Sequence, residues 1–127
     1  LTLLTKYDDY RSFSKSPDLY KHTICKVTSA RLFINPGGER MRIQLTADRF
    51  LWRMVRLLVG KLLQIGKGEM SVDELENLLI AKTQLKVWNP AYPQGLFLSK
   101  VIYPYLELPT HVTFMSINQP EEQWGEV

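Results

Sequence analysis

Cysteine and histidine are nearly missing from this chain. Its 127 residues hold one cysteine, Cys25, and two histidines, His22 and His111. A single thiol excludes an internal disulfide and a Cys-rich metal cluster. Two histidines far apart in dissimilar surroundings give no metal-ligand spacing. The expectation is a reduced, intracellular, cytoplasmic protein that needs no metal, in which Cys25 and both histidines are structural. Long apolar runs are also missing. Charge interrupts each of them well short of the roughly 20 residues a membrane span needs. There is no signal-peptide pattern, no internal repeat and no low-complexity tract, so no membrane partner is expected. Nor does one sign of charge dominate: 16 Lys and Arg against 13 Asp and Glu leave a net charge of +3. That permits an anionic partner without requiring one. An initiating methionine is missing too. The chain opens on LTLLTKYDDY, which reads as the end of a helix, so a longer polypeptide is expected.

What is present describes one globular domain: 45% hydrophobic and 23% charged residues, with a core modest enough to lean on a partner. Thr23 to Ile34 is rich in β-branched residues and reads as a strand. Asn35-Pro36-Gly37-Gly38 is a turn signal. Arg40 to Thr46 alternates, with Met41, Ile43 and Leu45 on one face and Arg40, Arg42, Gln44 and Thr46 on the other, which predicts an antiparallel hairpin with one wet face. Asp48 is placed to cap a helix that runs to about Ile65 and stops at Gly66-Lys67-Gly68. Ser71 and Glu74 have capping-box spacing. The helix they open runs to about Lys82 and is expected to bury Val72, Leu75, Leu78 and Leu79. Leu96 to Tyr103 reads as a third strand, ended by Pro104. The tail from Pro109 is either loose or an arm packed by Phe114 and Trp124. The order β-β-α-α-β predicts an α+β domain, an antiparallel sheet with helices packed on one face.

The central helix carries the chemistry. At roughly 100° per residue, Leu51, Met54, Val55, Leu58, Val59 and Leu62 fill a wide arc that Phe50, Leu57 and Leu63 extend. Only a narrow stripe is left for Arg49, Arg53, Arg56, Gly60, Gln64 and Lys67. So wide an apolar arc implies burial on more than one side, with the stripe lining a seam against a second domain or subunit. Gly60 lowers helix stability by about 1 kcal/mol relative to Ala, and is explained by close approach of a backbone or ligand, or by helix packing. Arg56, at the apolar edge beside Trp52, is either a desolvated guanidinium seeking a carboxylate or phosphate or a snorkelling surface arginine.

Four segments, in order and at matching spacing, resemble the TruA family of tRNA pseudouridine synthases. FLWRMVRLLVGKLLQIGKG is similar to its "FL..MVR..VG.LL..G.G" segment. SVDELENLLIAK is similar to its next helix, Gly95-Leu96-Phe97-Leu98 with Val101 and Tyr103-Pro104 to its "GLYL..V.YP" strand, and Asp9-Tyr10-Arg11-Ser12-Phe13 to its "DF.SF". The resemblance covers about residues 1–109, the C-terminal half of the family's chain, and leaves 110–127 as a tail. It implies the pseudouridine synthase fold and isomerisation of uridines in the anticodon stem-loop of tRNA, without cofactor or metal. The family's catalytic aspartate belongs to a "GRTD.GVHA" motif that this chain does not contain. The resemblance therefore implies an N-terminal catalytic domain elsewhere in the same protein, an inactive isolated chain and a homodimer. It assigns Arg56 as partner of that aspartate and Leu96 to the uracil pocket. Arg49, Arg53, Lys61, Lys67 and Lys82 are candidate phosphate contacts, with solvated surface charge as the alternative for each. Two stretches depart from the family pattern, Thr83-Gln84 after the second helix and Lys86 to Pro93 in the pocket loop, where Trp88 and Tyr92 either stack on a base or fill a gap. The competing reading is a non-catalytic RNA-binding or dimerisation module.

Overall fold

The computed structural model describes residues 1–102 and 124–127. Strand β1 (Val27–Ile34) pairs antiparallel with β2 (Met41–Ala47). Between them Gly38, at φ +71°, donates to the Asn35 carbonyl at 2.9 Å. The Asn35 side chain accepts from the Arg40 amide at 2.8 Å. The turn thus closes with the chemistry its Asn-Pro-Gly-Gly sequence offers, a short polar side chain and a residue free to adopt positive φ. The register slips between Val27 and Ser29, a bulge that bends the start of β1.

Helix α1 (Met54–Gly66) follows, then α2 (Val72–Ala81). The capping box at α2 is complete. The Ser71 hydroxyl accepts from the Glu74 amide at 3.1 Å, and the Glu74 carboxylate accepts from the Ser71 amide at 2.7 Å. The fold is therefore α+β, with an antiparallel sheet and two helices. Short 3-10 turns at Thr2–Thr5 and Arg11–Phe13 link the two parts, the first packing on β1 and the second on both helices. Ser12 adds a hydroxyl bond to the Leu78 carbonyl at 2.8 Å. The core joins Leu4, Tyr10, Phe13 and Cys25 of this N-terminal segment to Val27, Leu51, Met54, Leu57, Leu58, Leu75, Leu79 and Leu85. Cys25 is fully buried, and that burial pushes its thiol pKa up.

Several expectations are corrected. Leu96 to Ile102 forms no strand, and Leu96, Phe97, Leu98, Val101 and Ile102 are all exposed. A strand exists only where a neighbour offers a ladder, and none of the described strands pairs with this segment. The third strand is instead β3 (Gly125–Glu126), which pairs with Phe33 and Ile34 and gives the sheet order β2-β1-β3. Trp124 lies against the Arg42 guanidinium, 5.1 Å from its ring centroid. Asp48 caps no helix. It accepts from the Lys26 amide at 2.8 Å and extends the hairpin by one contact, while α1 begins only at Met54. Val72 is 53% and Met41 64% exposed, because each lies at the end of its element, beyond the reach of the core. Tyr103-Pro104, His111 and Phe114 lie outside the described residues. No helix among those described is long and apolar enough to cross a membrane.

Candidate functional site

The site is organised by the entry into α1. Arg53, immediately before the helix, adopts a left-handed conformation with φ +63°, unusual for a residue with a Cβ. This turn swings the chain from the end of β2 into the helix in six residues. Leu51 then reaches the core, and the Trp52 amide donates to the Tyr20 hydroxyl at 2.7 Å. Once the helix has begun, Met54, Leu57 and Leu58 point inward, and Arg56 falls at the margin of the apolar arc, half-buried.

Arg56 does not snorkel into water. Its Nε donates to the Ala91 carbonyl at 2.7 Å, and the Ala91 amide donates to the Arg56 carbonyl at 2.9 Å. This reciprocal pair is one end of a strap. From Val87 to Ala91 the loop runs along α1 towards the helix N-terminus. At its far end the Lys61 ammonium donates to the Val87 carbonyl at 3.1 Å. In the middle the loop touches the helix at Gly60, where a Cβ would lie 2.1 Å from the Asn89 carbonyl oxygen. Asn89 makes the approach with φ +34°. Leu85 and Trp88 anchor the loop in the core while Tyr92 stays exposed. Of the two roles open to Trp88, packing is the one seen. The seam on α1 is thus covered at Arg56 and Gly60 by the chain's own loop, where the sequence pattern alone pointed to a second domain or subunit.

Since Nε is held by the strap, the Nη1 and Nη2 edge of Arg56 remains, and it meets no carboxylate among the described residues. That edge presents paired donors in a plane, the geometry that grips a carboxylate or phosphate with two bonds. Leu96 follows on the same loop, after a 3-10 turn at Pro93–Gly95, with its amide on the Pro93 carbonyl at 3.1 Å. It is 48% exposed. The loop therefore carries both the group that aims Arg56 and the exposed apolar side chain.

The five candidate phosphate contacts do not form one patch. Lys61 is only 6% exposed and bonded to a loop carbonyl. In this position it anchors the strap. Lys82 ends α2 and pairs with Asp9 at 3.6 Å. Burial opposes the Asp9 charge, but hydrogen bonds from Thr23 and the Arg11 amide, with the Lys82 charge beside them, hold its pKa below the ordinary value. Lys67 lies at the C-terminal end of α1 and Arg49 and Arg53 at the other, roughly 20 Å apart at 1.5 Å per residue. Arg49 donates to the His22 carbonyl at 3.3 Å, and its guanidinium lies 5.2 Å from the Tyr20 ring centroid. Asn89 and Ala91 take part through backbone groups and so carry no side-chain signature. The one sequence signal for them was Gly60, placed where a backbone had to come close.

A sequence model described as tRNA pseudouridine synthase matches residues 7–104, most of the chain. The chain belongs to the tRNA pseudouridine synthase family. It is 33% identical over 102 residues to the tRNA pseudouridine synthase A of Porphyromonas gingivalis, covering 80% of this chain and 40% of that protein. The identity is 37% over 101 residues with the enzyme of the same name from Bacteroides fragilis, again 80% of this chain and 40% of the relative. With that of Bordetella avium it is 41% over 103 residues, 80% of this chain and 38% of the relative. The chain thus spans about two fifths of the length of the curated relatives it matches. No solved structure matches it.

Proposed function

We propose that this chain is the C-terminal part of a tRNA pseudouridine synthase, an isomerase that detaches uracil at the anticodon stem-loop from its ribose and rejoins it through carbon. Arg56 supports this reading most directly. It is half-buried, fixed through Nε to the Ala91 carbonyl at 2.7 Å, and keeps a planar pair of donors unengaged by any carboxylate among the described residues. In the intact protein that edge holds the nucleophilic aspartate, supplied from outside this chain, ionised and aimed at the sugar. Leu96 forms an apolar wall of the pocket that receives the flipped uracil. The protein acts on tRNA without cofactor, in the cytoplasm and as a homodimer, and the isolated chain of 127 residues makes no pseudouridine.

The test is pseudouridine formation on a tRNA substrate by the intact protein carrying Arg56→Ala or Arg56→Lys. Both variants are expected to stay folded, with a melting temperature lowered by about 4 °C or more where the bond to Ala91 is lost, and to lose about a hundredfold or more in kcat, the scale at which a fixed electrostatic group matters. Lysine does not rescue, because a point charge replaces a planar fork. Turnover that survives Arg56→Ala in a folded protein refutes the active-site role and favours a binding or dimerisation module. Pseudouridine made by the isolated chain refutes the placement of the nucleophile.

A further inference from the structure

We propose that Trp52, with Lys15 and Arg53 over its ring and Arg49 beside its hydrogen-bond partner Tyr20, is a stacking platform for an unpaired base of the RNA, near the uridine on which the Arg56 site acts. The proposal rests on the reading that this protein acts on RNA. Trp52 is 49% exposed, yet it is not loosely placed. Its amide donates to the Tyr20 hydroxyl at 2.7 Å, and its carbonyl accepts from the Lys15 amide at 3.3 Å. Both partners come from a segment more than 30 positions earlier in the chain, so the backbone beneath the indole is fixed by long-range contacts while half the side chain stands in water.

Two cations lie near its ring and a third beside Tyr20. The Lys15 ammonium lies 4.7 Å and the Arg53 guanidinium 5.8 Å from the indole centroid, and Arg49 lies 5.2 Å from the ring of Tyr20. None of the three forms an ion pair among the described residues. Asp18 pairs with Arg11, and Asp48 accepts from the Lys26 amide. An exposed aromatic on a fixed backbone, with cations near it that form no ion pair among the described residues, matches a single nucleic-acid strand, whose bases stack on the ring while its phosphates meet the charges. A duplex hides its base faces, and an acidic peptide has no flat group for the indole. Lys15 and Arg53 reach the ring on flexible stems, so they can move to phosphate when a base takes their place. Trp52 precedes Arg56 by four residues across the turn at Arg53, which limits their separation to about 14 Å of chain. An unpaired base on the indole would therefore neighbour the one being turned over.

The test measures binding of a fluorescently labelled anticodon stem-loop RNA by the intact protein, across a salt series. Trp52→Leu, which keeps apolar bulk and loses the aromatic face, is expected to weaken affinity about tenfold, the scale of one lost base stack. Trp52→Phe is expected to stay within about threefold. Lys15→Gln and Arg53→Gln are each expected to flatten the salt slope by about one. The proposal is overturned if Trp52→Leu and both glutamine variants bind with wild-type affinity and slope. It is also overturned if polyglutamate of equal charge displaces the RNA as well as unlabelled single-stranded RNA does. Should Trp52→Leu fail to fold, the two glutamine variants decide the matter: a slope flattened by about one in each supports the platform, and wild-type affinity and slope in both overturn it. A wild-type protein that binds through Trp52 but makes no pseudouridine refutes the catalytic reading and leaves this one standing. One that makes pseudouridine while Trp52→Leu binds normally does the reverse.

Discussion

Replacing Gly60 with alanine sets two known magnitudes against each other. In an exposed helix interior the change stabilises by about 1 kcal/mol, because glycine has more backbone freedom to lose. Here the new methyl would lie 2.1 Å from the Asn89 carbonyl oxygen. No rotamer relieves that contact, since a Cβ has no freedom and the obstacle is backbone. The loop must retreat by about 1 Å or more before the separation becomes an ordinary one. Such a retreat strains the bonds on either side, those between Arg56 and Ala91 at 2.7 and 2.9 Å and that from Lys61 to Val87 at 3.1 Å. Neutral bonds contribute about 1 kcal/mol and those from charged donors about 1.5–3. Losing two of the three outweighs the helix gain, leaving a net loss of about 1.5–5 kcal/mol and a melting temperature lower by about 4 °C or more. Gly66→Ala is the control, because a Cβ there meets nothing within 4 Å. It should be neutral or stabilising by up to about 1 kcal/mol. Denaturant unfolding gives the stability, and hydrogen exchange of the Ala91 amide reports the strap. If Gly60→Ala equals or exceeds wild type in stability with the Ala91 amide still protected, the strap does not bear on the helix as described.

Two smaller predictions probe the frame around the site. Ser71→Ala removes one half of the α2 capping box and should lower stability by about 1 kcal/mol, read from denaturant unfolding. Asp9 has a folded pKa below its ordinary value. Its contribution is thus fully present above the unfolded pKa and is lost as pH falls through the lower folded one. Asp9→Asn should flatten the acid limb of the stability profile below about pH 4, where unperturbed aspartates titrate. An unchanged acid limb would show that the contacts to Thr23 and Lys82 do not favour the ionised form.

What the sequence disclosed depended on how local the cause was. The hairpin turn and the α2 capping box involve residues within five positions of each other, and their side chains name the geometry they make. The apolar period of α1 likewise showed its burial. The start of α1 was harder, because Asp48 had two possible partners and the hairpin, not the helix, took it. The strand read at Leu96 failed for a deeper reason. Alternation states that a segment can pair but names no partner, and none of the described strands pairs with Leu96 to Ile102. The segment that does pair with β1, Gly125–Glu126, has only two residues and leaves no pattern. At the site, residue types were readable and contacts were not. Lys61 and Arg56 are both cations of one helix, yet the loop buries Lys61 and holds Arg56 by one nitrogen.

That division explains why an arginine belongs in so apolar a helix. A free guanidinium would lose about 2 kcal/mol of rotamer freedom on being fixed by a ligand. The bond from Nε to Ala91 removes much of that freedom during folding, before any ligand arrives. The position of the fork then depends on the loop, and the loop rests on Gly60, where only a bare α-carbon admits it. Gly60, Ala91 and Arg56 form one mechanical unit: a small residue lets the loop in, a carbonyl fixes one side of the guanidinium, and the other side meets no carboxylate among the described residues. On the proposed function, the same loop carries the pocket residue Leu96, so the aim of Arg56 and the wall for the base are set by a single docking event.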